Sequence, residues 1–175
     1  VPTYVALLRA VNLGPHARVS MARLRELITA QGWGHARTHL ASGNAVFTSE
    51  LTEPAPVARR LRDALAANGL DTEVMVRTGH HFVQLAEAGH PLAVPGAAHT
   101  TLQVAFPLTP VTTDQVQAMP IPGEESAVAG AGEVFLHYPH GVGRSKLTTA
   151  HLQRHLGTPV TCRNWKTVTT LAGWC

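Results

Sequence analysis

The sequence predicts an α+β fold built from two ferredoxin-like halves related by duplication, each followed by an extra helix. Three observations predict it. Strand-like and helix-like segments run β-α-β-β-α-β and then α, and the order repeats in the second half of the chain. A Pro/Gly/Ala stretch, "GHPLAVPGAAH", separates the two runs. The end of the fourth strand carries one pattern in both halves: Phe82 and Leu85 follow Arg77 at offsets of five and eight residues, and Val168 and Leu171 follow Arg163 at the same offsets. The expected boundaries are residues 1–90 for the first half, 91–100 for a connector and 101–175 for the second half, together one compact unit.

Each element has a local reason. "TYVALLRAV", Thr3 to Val11, is mostly apolar and reads as a central strand. After the loop "NLGPHAR", Ser20 is a good N-cap, and Met21, Leu24, Leu27 and Ile28 mark one face of a helix that stops near Gly32. "RTHLASGNAVFTS" reads as two strands around a Ser42-Gly43-Asn44 hairpin. Pro54 and Pro56 open a helix with Val57, Leu61 and Leu65 on one face, ended by Asn68-Gly69. "DTEVMVR" is a strand and "GHHFVQLAEAG" a short helix. In the second half "TLQVAFP" is a strand, and Thr112 or Thr113 caps a helix carrying Val116 and Met119. "SAVAGAGEVFLHYP" gives two strands around Gly130-Ala131-Gly132. A helix capped by Ser145 carries Leu147, Leu152 and Leu156, "PVTC" is a strand, and "RNWKTVTTLAGW" closes the chain with Trp165 as a core anchor.

Composition narrows the function classes. The 175 residues are 45% hydrophobic and 14% charged, the profile of a globular protein. No apolar run approaches the roughly 18 residues of a membrane span, no basic-then-apolar leader opens this sequence, and no membrane partner is expected. The formal charge of +3 leans toward anionic partners but falls short of a dedicated DNA-binding domain. Two cysteines, Cys162 and Cys175, give no disulfide framework, so a reducing, cytoplasmic setting is the simplest expectation. Cys162 reads as opening a helix and as structural, since no base accompanies it.

Four motifs carry a resemblance. "YVALLRAVNLG", "ASGNAVF", "GRSKLT" and "RNWKTV" occur in an order and spacing similar to those of a bacterial family, domain of unknown function 1697, over Tyr4 to Leu171. The resemblance implies a duplicated α+β fold of about this length and no particular activity. Members of that family read Arg-Gly-(Ile/Val)-Asn-Val-Gly-Gly after the first strand, with an Asn soon after. Here Arg9, Asn12 and Gly14 match, whereas Ala10 and Pro15 replace glycines and Ala17 stands near the expected Asn.

Two loops are candidate anion sites. "GVGRSK", residues 141–146, runs from a strand into a helix start, where unpaired N–H groups and the helix dipole favour an anion. It lacks the Gly-Lys-Ser/Thr ending of a Walker loop and the Gly-x-Gly-x-x-Gly of a dinucleotide site, so no cofactor is expected. "RNWKT" places Arg163 and Asn164 at a second helix start. Arg9 sits in an otherwise apolar strand and needs a partner or a pocket. Asn44 belongs to the hairpin turn, where turn chemistry alone explains it. Together Arg9, Asn12, Asn44, Arg144, Ser145, Lys146, Arg163 and Asn164 form a donor-rich, carboxylate-poor set suited, if clustered, to a phosphate or carboxylate.

The other constellations are weaker. His151 and His155 are spaced i, i+4, but "HLQRH" lacks the Glu of His-Glu-x-x-His and no further ligand completes a metal site. These histidines, His80, His81 and His90 read as solvent-facing, and Glu124-Glu125 as a solvated turn. No Gly-x-Ser-x-Gly elbow is present. The first expectation is a binding protein for an anionic small molecule, nucleotide-like, or for RNA; Tyr4, Phe47, Phe106, Phe135 and Tyr138 are the aromatics available for stacking bases. The alternative is a small enzyme acting on a phosphorylated or carboxylated metabolite.

Overall fold

The computed structural model describes residues 1–175. The first run of elements is β1 (Thr3–Leu8), α1 (Met21–Thr29), β2 (Gly34–His39), β3 (Asn44–Thr48), α2 (Pro54–Ala67), β4 (Val74–Thr78) and α3 (Gly79–Ala88). The second is β5 (Leu102–Pro107), α4 (Thr113–Ala118), β6 (Ser126–Ala129), β7 (Val134–His137), α5 (Thr149–Leu156), β8 (Val160–Asn164) and α6 (Trp165–Ala172). The two four-stranded sheets have the orders β2-β3-β1-β4 and β6-β7-β5-β8, and every pairing is antiparallel. Both orders are those of a ferredoxin-like βαββαβ unit, as the sequence predicts.

The repeat extends to side chains. Arg77 and Arg163 sit opposite Val5 and Val104, the third residues of β1 and β5. Each donates to the carbonyl of the residue before it, Val76 at 3.1 Å and Cys162 at 2.9 Å. The next residue then accepts a backbone N–H three positions on: Thr78 from His81 and Asn164 from Thr167. Phe82, Leu85, Val168 and Leu171, the apolar residues at matching offsets, are all buried.

The chain divides into two compact units, Val1–Gln84 with Leu171–Cys175, and Leu85–Thr170. In the first, Tyr4, Ala6 and Leu8 of β1, Ala45 and Phe47 of β3, and Val74 and Val76 of β4 present one sheet face to Leu24, Leu27 and Ile28 of α1 and Val57, Leu61 and Leu65 of α2. Trp33 stacks on Phe47 at 4.9 Å in the same core. Period-2 strands meeting period-3.6 helices produce this layer. The other face of the sheet carries Val5, Leu7, Val46 and Met75, also buried. On β2 that face holds Arg37 and His39, and both contact Trp174: the guanidinium lies 3.9 Å from the ring centroid and the imidazole meets the ring edge-on. In the second unit Ala105, Val134, Leu136 and Val160 of the sheet pack with Val116, Met119, Leu147, Leu152 and Leu156.

Five boundary and burial expectations change. β1 ends at Leu8 rather than Val11, because Ala10 and Asn12 adopt left-handed backbone, φ 52° and 58°, which breaks the strand. Arg9 therefore lies just past the strand instead of within it. The helix read as starting at Ser145 starts at Thr149 and is capped by Thr148, whose side chain accepts from His151 N–H. Cys162 lies in β8 and opens no helix. His90 is buried, 6% exposed, not solvent-facing.

Candidate functional site

Arg9, Asn12 and Asn44 gather at one end of the first unit's sheet. Leu8 N–H donates to Gly43 C=O and Arg9 N–H to Glu73 C=O, so the β1–α1 loop, the β2–β3 turn and the entry to β4 meet there. Thr72 Oγ1 donates to Arg9 C=O at 2.5 Å. Asn12 spends its side chain on this junction. Its amide N–H groups donate to Val19 C=O at 2.8 Å and Ala41 C=O at 2.7 Å, and its Oδ1 accepts from Val19 N–H. Asn44 is fully buried and donates to His39 C=O and Ser42 Oγ. An amide has two N–H donors, so neither Asn has one left for an anion. Gly43, φ 84°, is required in the turn, because a Cβ there would lie 2.7 Å from Leu8 Cβ.

The "GVGRSK" loop spends the Ser145 hydroxyl and two of its backbone N–H groups on its own turn. Gly141 N–H donates to Tyr138 C=O and Ser145 N–H to Val142 C=O. Leu147 N–H donates to Ser145 Oγ, and the Ser145 hydroxyl donates to Glu125 Oε1 at 2.5 Å. Tyr138, buried beneath the loop, donates its hydroxyl to Leu147 C=O at 2.9 Å. The loop also meets carboxylates: His140 bonds Glu124, and Glu125 is half-buried against Ser145. The Ser145 hydroxyl, followed by the Glu125 backbone N–H, holds the Glu125 carboxyl below its usual range against the opposing effect of burial. Glu125 is thus a partner of the loop, while Glu124 stays in solvent as the solvated-turn reading expects. Arg144 and Lys146 stand exposed on it.

Arg163 is 7% exposed and donates to Thr161 Oγ1 at 2.7 Å as well as to Cys162 C=O. Burial lowers its guanidinium pKa to about 10. Asn164 caps α6 through Oδ1, which accepts from Thr167 N–H at 2.8 Å. Burial also pushes the Cys162 thiol up to about 11, so it is no nucleophile at neutral pH. Arg9, Asn12 and Asn44 fall in the first unit, and Arg144, Ser145, Lys146, Arg163 and Asn164 in the second.

His90 and His151 spend ring nitrogens on backbone groups. His90 Nε2–H donates to Gln103 C=O, its Nδ1 accepts from Leu92 N–H, and Phe135 and Trp165 flank the ring edge-on. Burial holds its pKa below the ordinary 6.5. His151 donates to Pro120 C=O, and no group of three or more His, Cys, Asp and Glu is placed to hold a metal. Tyr4, Phe47, Phe106, Phe135 and Tyr138 are all buried, so none of them is a platform for stacking bases.

Charge is where the sequence pointed least. The first unit holds nine arginines, no lysine and six carboxylates; the second holds five Lys and Arg against five carboxylates. All of the chain's excess charge therefore belongs to the first unit, and α1 with α2 carries it: Arg23, Arg25, Arg59, Arg60 and Arg62 against Glu26 and Asp63. All five arginines are exposed. The sequence signal for them is their density on two successive helices.

A family model described as a protein of unknown function, DUF1697, matches residues 1–135. The match takes in "YVALLRAVNLG" and "ASGNAVF" and ends before "GRSKLT" and "RNWKTV". A solved structure of a conserved bacterial protein from Streptococcus pneumoniae is similar with a TM-score of 0.74 and 22% identity, covering 98% of this chain and 97% of that one. It shows the fold. A search of the curated proteins found no match. No helix is long and apolar enough to cross a membrane.

Proposed function

We propose that this chain, which belongs to the DUF1697 family of proteins of unknown function, binds an anionic ligand, either a nucleotide-like small molecule or RNA, in the cytoplasm of a bacterium. One observation carries the reading: the net positive charge lies entirely in the first unit and is made of guanidinium groups. Guanidinium offers five N–H donors in a planar fork that fits phosphate and carboxylate oxygens in pairs. The exposed groups Arg144 and Lys146 add a smaller cationic point in the second unit. Two free thiols support a reducing compartment.

The test is a binding panel at two salt concentrations. Inorganic phosphate, a nucleoside triphosphate and an RNA oligonucleotide are each titrated by calorimetry, with product analysis of every positive sample. Binding that weakens as salt rises, without turnover, supports the reading. Turnover of a bound metabolite decides for the enzyme alternative, and no binding by any anion removes both.

A further inference from the structure

We propose that the α1–α2 face of the first unit is a docking surface for the phosphate backbone of double-stranded RNA, engaged without regard to base sequence. The inference rests on the anion-binding reading and assigns it a surface and a partner. The formal charge of α1 and α2 together, five arginines against Glu26 and Asp63, equals the +3 of the whole chain.

The two helices lie side by side and antiparallel. Arg23, near the start of α1, donates to Asn68 Oδ1 just past the end of α2. Arg60, midway along α2, donates to Gln31 Oε1 and to Gln31 C=O just past the end of α1. The stretch of seam between Arg23 and Arg60 therefore carries one guanidinium at each end, each bonded across the seam to an uncharged partner. Arg23 also pairs with Glu26, and Arg62 approaches Asp63 at 3.7 Å, both as exposed pairs of small worth in water. Arg59 stands exposed beside the seam. Arg25 donates to Thr38 on β2 and widens the face.

Two features choose duplex RNA over other polyanions. The face has no exposed aromatic ring, and the rings nearest it, Trp33 and Phe47, stack on each other in the core, so unstacked bases of a single strand find no platform. Beside the arginines stand Gln31, Asn68 and Thr38, whose oxygens keep lone pairs for a ribose 2′-hydroxyl, the group that distinguishes RNA from DNA. The 14 residues of α2 span about 21 Å. A duplex of that length presents on the order of ten phosphates, more than enough for five guanidinium groups.

The probe is a fluorescein-labelled 16-base-pair RNA, read by anisotropy at several salt concentrations. Wild type is expected to bind with a steep salt dependence. The triple variant Arg23→Gln, Arg59→Gln, Arg60→Gln is expected to bind at least tenfold more weakly, with a salt slope smaller by about three. The matching Lys variants keep the charge and are expected to stay within a few-fold of wild type. Arg144→Gln with Lys146→Gln in the second unit is expected to weaken binding less than about threefold, well short of the loss in the triple variant. If the triple variant fails to fold, Arg59→Glu, which disturbs only one exposed side chain, carries the test with the same direction of effect. Unchanged binding by a folded triple variant overturns the inference, as does loss of binding in the Arg144/Lys146 variant alone. Equal affinity for duplex DNA, or binding to anionic lipid vesicles without RNA, overturns the choice of partner. In each of those cases the anion-binding reading stands; it falls with the inference only when wild type binds no anion in the panel.

Discussion

The Ser145 hydroxyl donates to Glu125 Oε1 across 2.5 Å while its oxygen accepts from Leu147 N–H. One side chain thus closes the turn ahead of α5 and pins it to the start of β6. The turn gives its hydroxyl to a carboxylate and the Gly141 and Ser145 N–H groups to the Tyr138 and Val142 carbonyls. Ser145→Ala is expected to cost about 1 kcal/mol of stability, the usual worth of such bonds. It is also expected to raise the Glu125 pKa, because the Ser145 bond is the largest cause holding it down. Urea unfolding and carboxyl NMR titration read the two effects. An unmoved Glu125 titration contradicts the assignment.

Asn12 separates a structural role from a ligand role. Asn12→Ala removes two donors and one acceptor at a partly buried junction, and a loss of about 2–3 kcal/mol is expected. Anion binding by the folded fraction is expected to stay unchanged. A stable variant that has lost anion binding reverses the conclusion.

The β1–α1 loop stores backbone strain. Ala10 and Ala17 have φ of 52° and 53°, a region that costs an L-residue with a Cβ about 1–2 kcal/mol. These are the positions where the resembling family carries Gly and, nearby, Asn, the residues that tolerate left-handed backbone. After the unfolded-chain entropy of glycine is deducted, Ala10→Gly is expected to stabilise by about 0.5–1 kcal/mol. Ala17→Asn is expected to add a few tenths. A raised urea midpoint with an unchanged slope confirms this, and a lowered midpoint contradicts it.

His90 gives the fold a pH dependence. Its folded pKa lies below the ordinary 6.5, so the unfolded chain takes up the proton first. Its contribution is complete above pH 6.5 and is lost as pH falls through the folded value. His90→Gln is expected to be less stable than wild type at pH 8, and the gap is expected to narrow below pH 6.5. Urea midpoints at pH 5, 6, 7 and 8 measure it. A gap that widens on acidification has the wrong sign for a buried neutral imidazole.

Period and offset made the fold legible. Strands alternate, helices carry a three-to-four-residue stripe, and the Arg77 and Arg163 neighbourhoods repeat residue by residue. Local chemistry was less legible wherever two segments distant in sequence compete. Ser145 looks like a cap, yet Glu125, twenty residues earlier, takes its hydroxyl and Thr148 caps the helix instead. His90 sits in a Pro/Gly connector with no apolar period to announce burial, and its pocket comes from Phe135 and Trp165 far along the chain. Asn12, Asn44 and Asn164 spend side-chain groups on nearby backbone, a use that residue type alone does not disclose. The arginines of α1 and α2 were visible as letters; their shared face needed the antiparallel packing that joins Arg23 to Asn68 and Arg60 to Gln31.

The most direct test of the account is an amide NMR titration of isotope-labelled protein with the short RNA duplex. The predicted result is a set of shift changes concentrated on Met21–Thr29 and Pro54–Asn68, with little movement at residues 141–146 and 163–167. Changes centred on those second-unit segments, or none at all, contradict it.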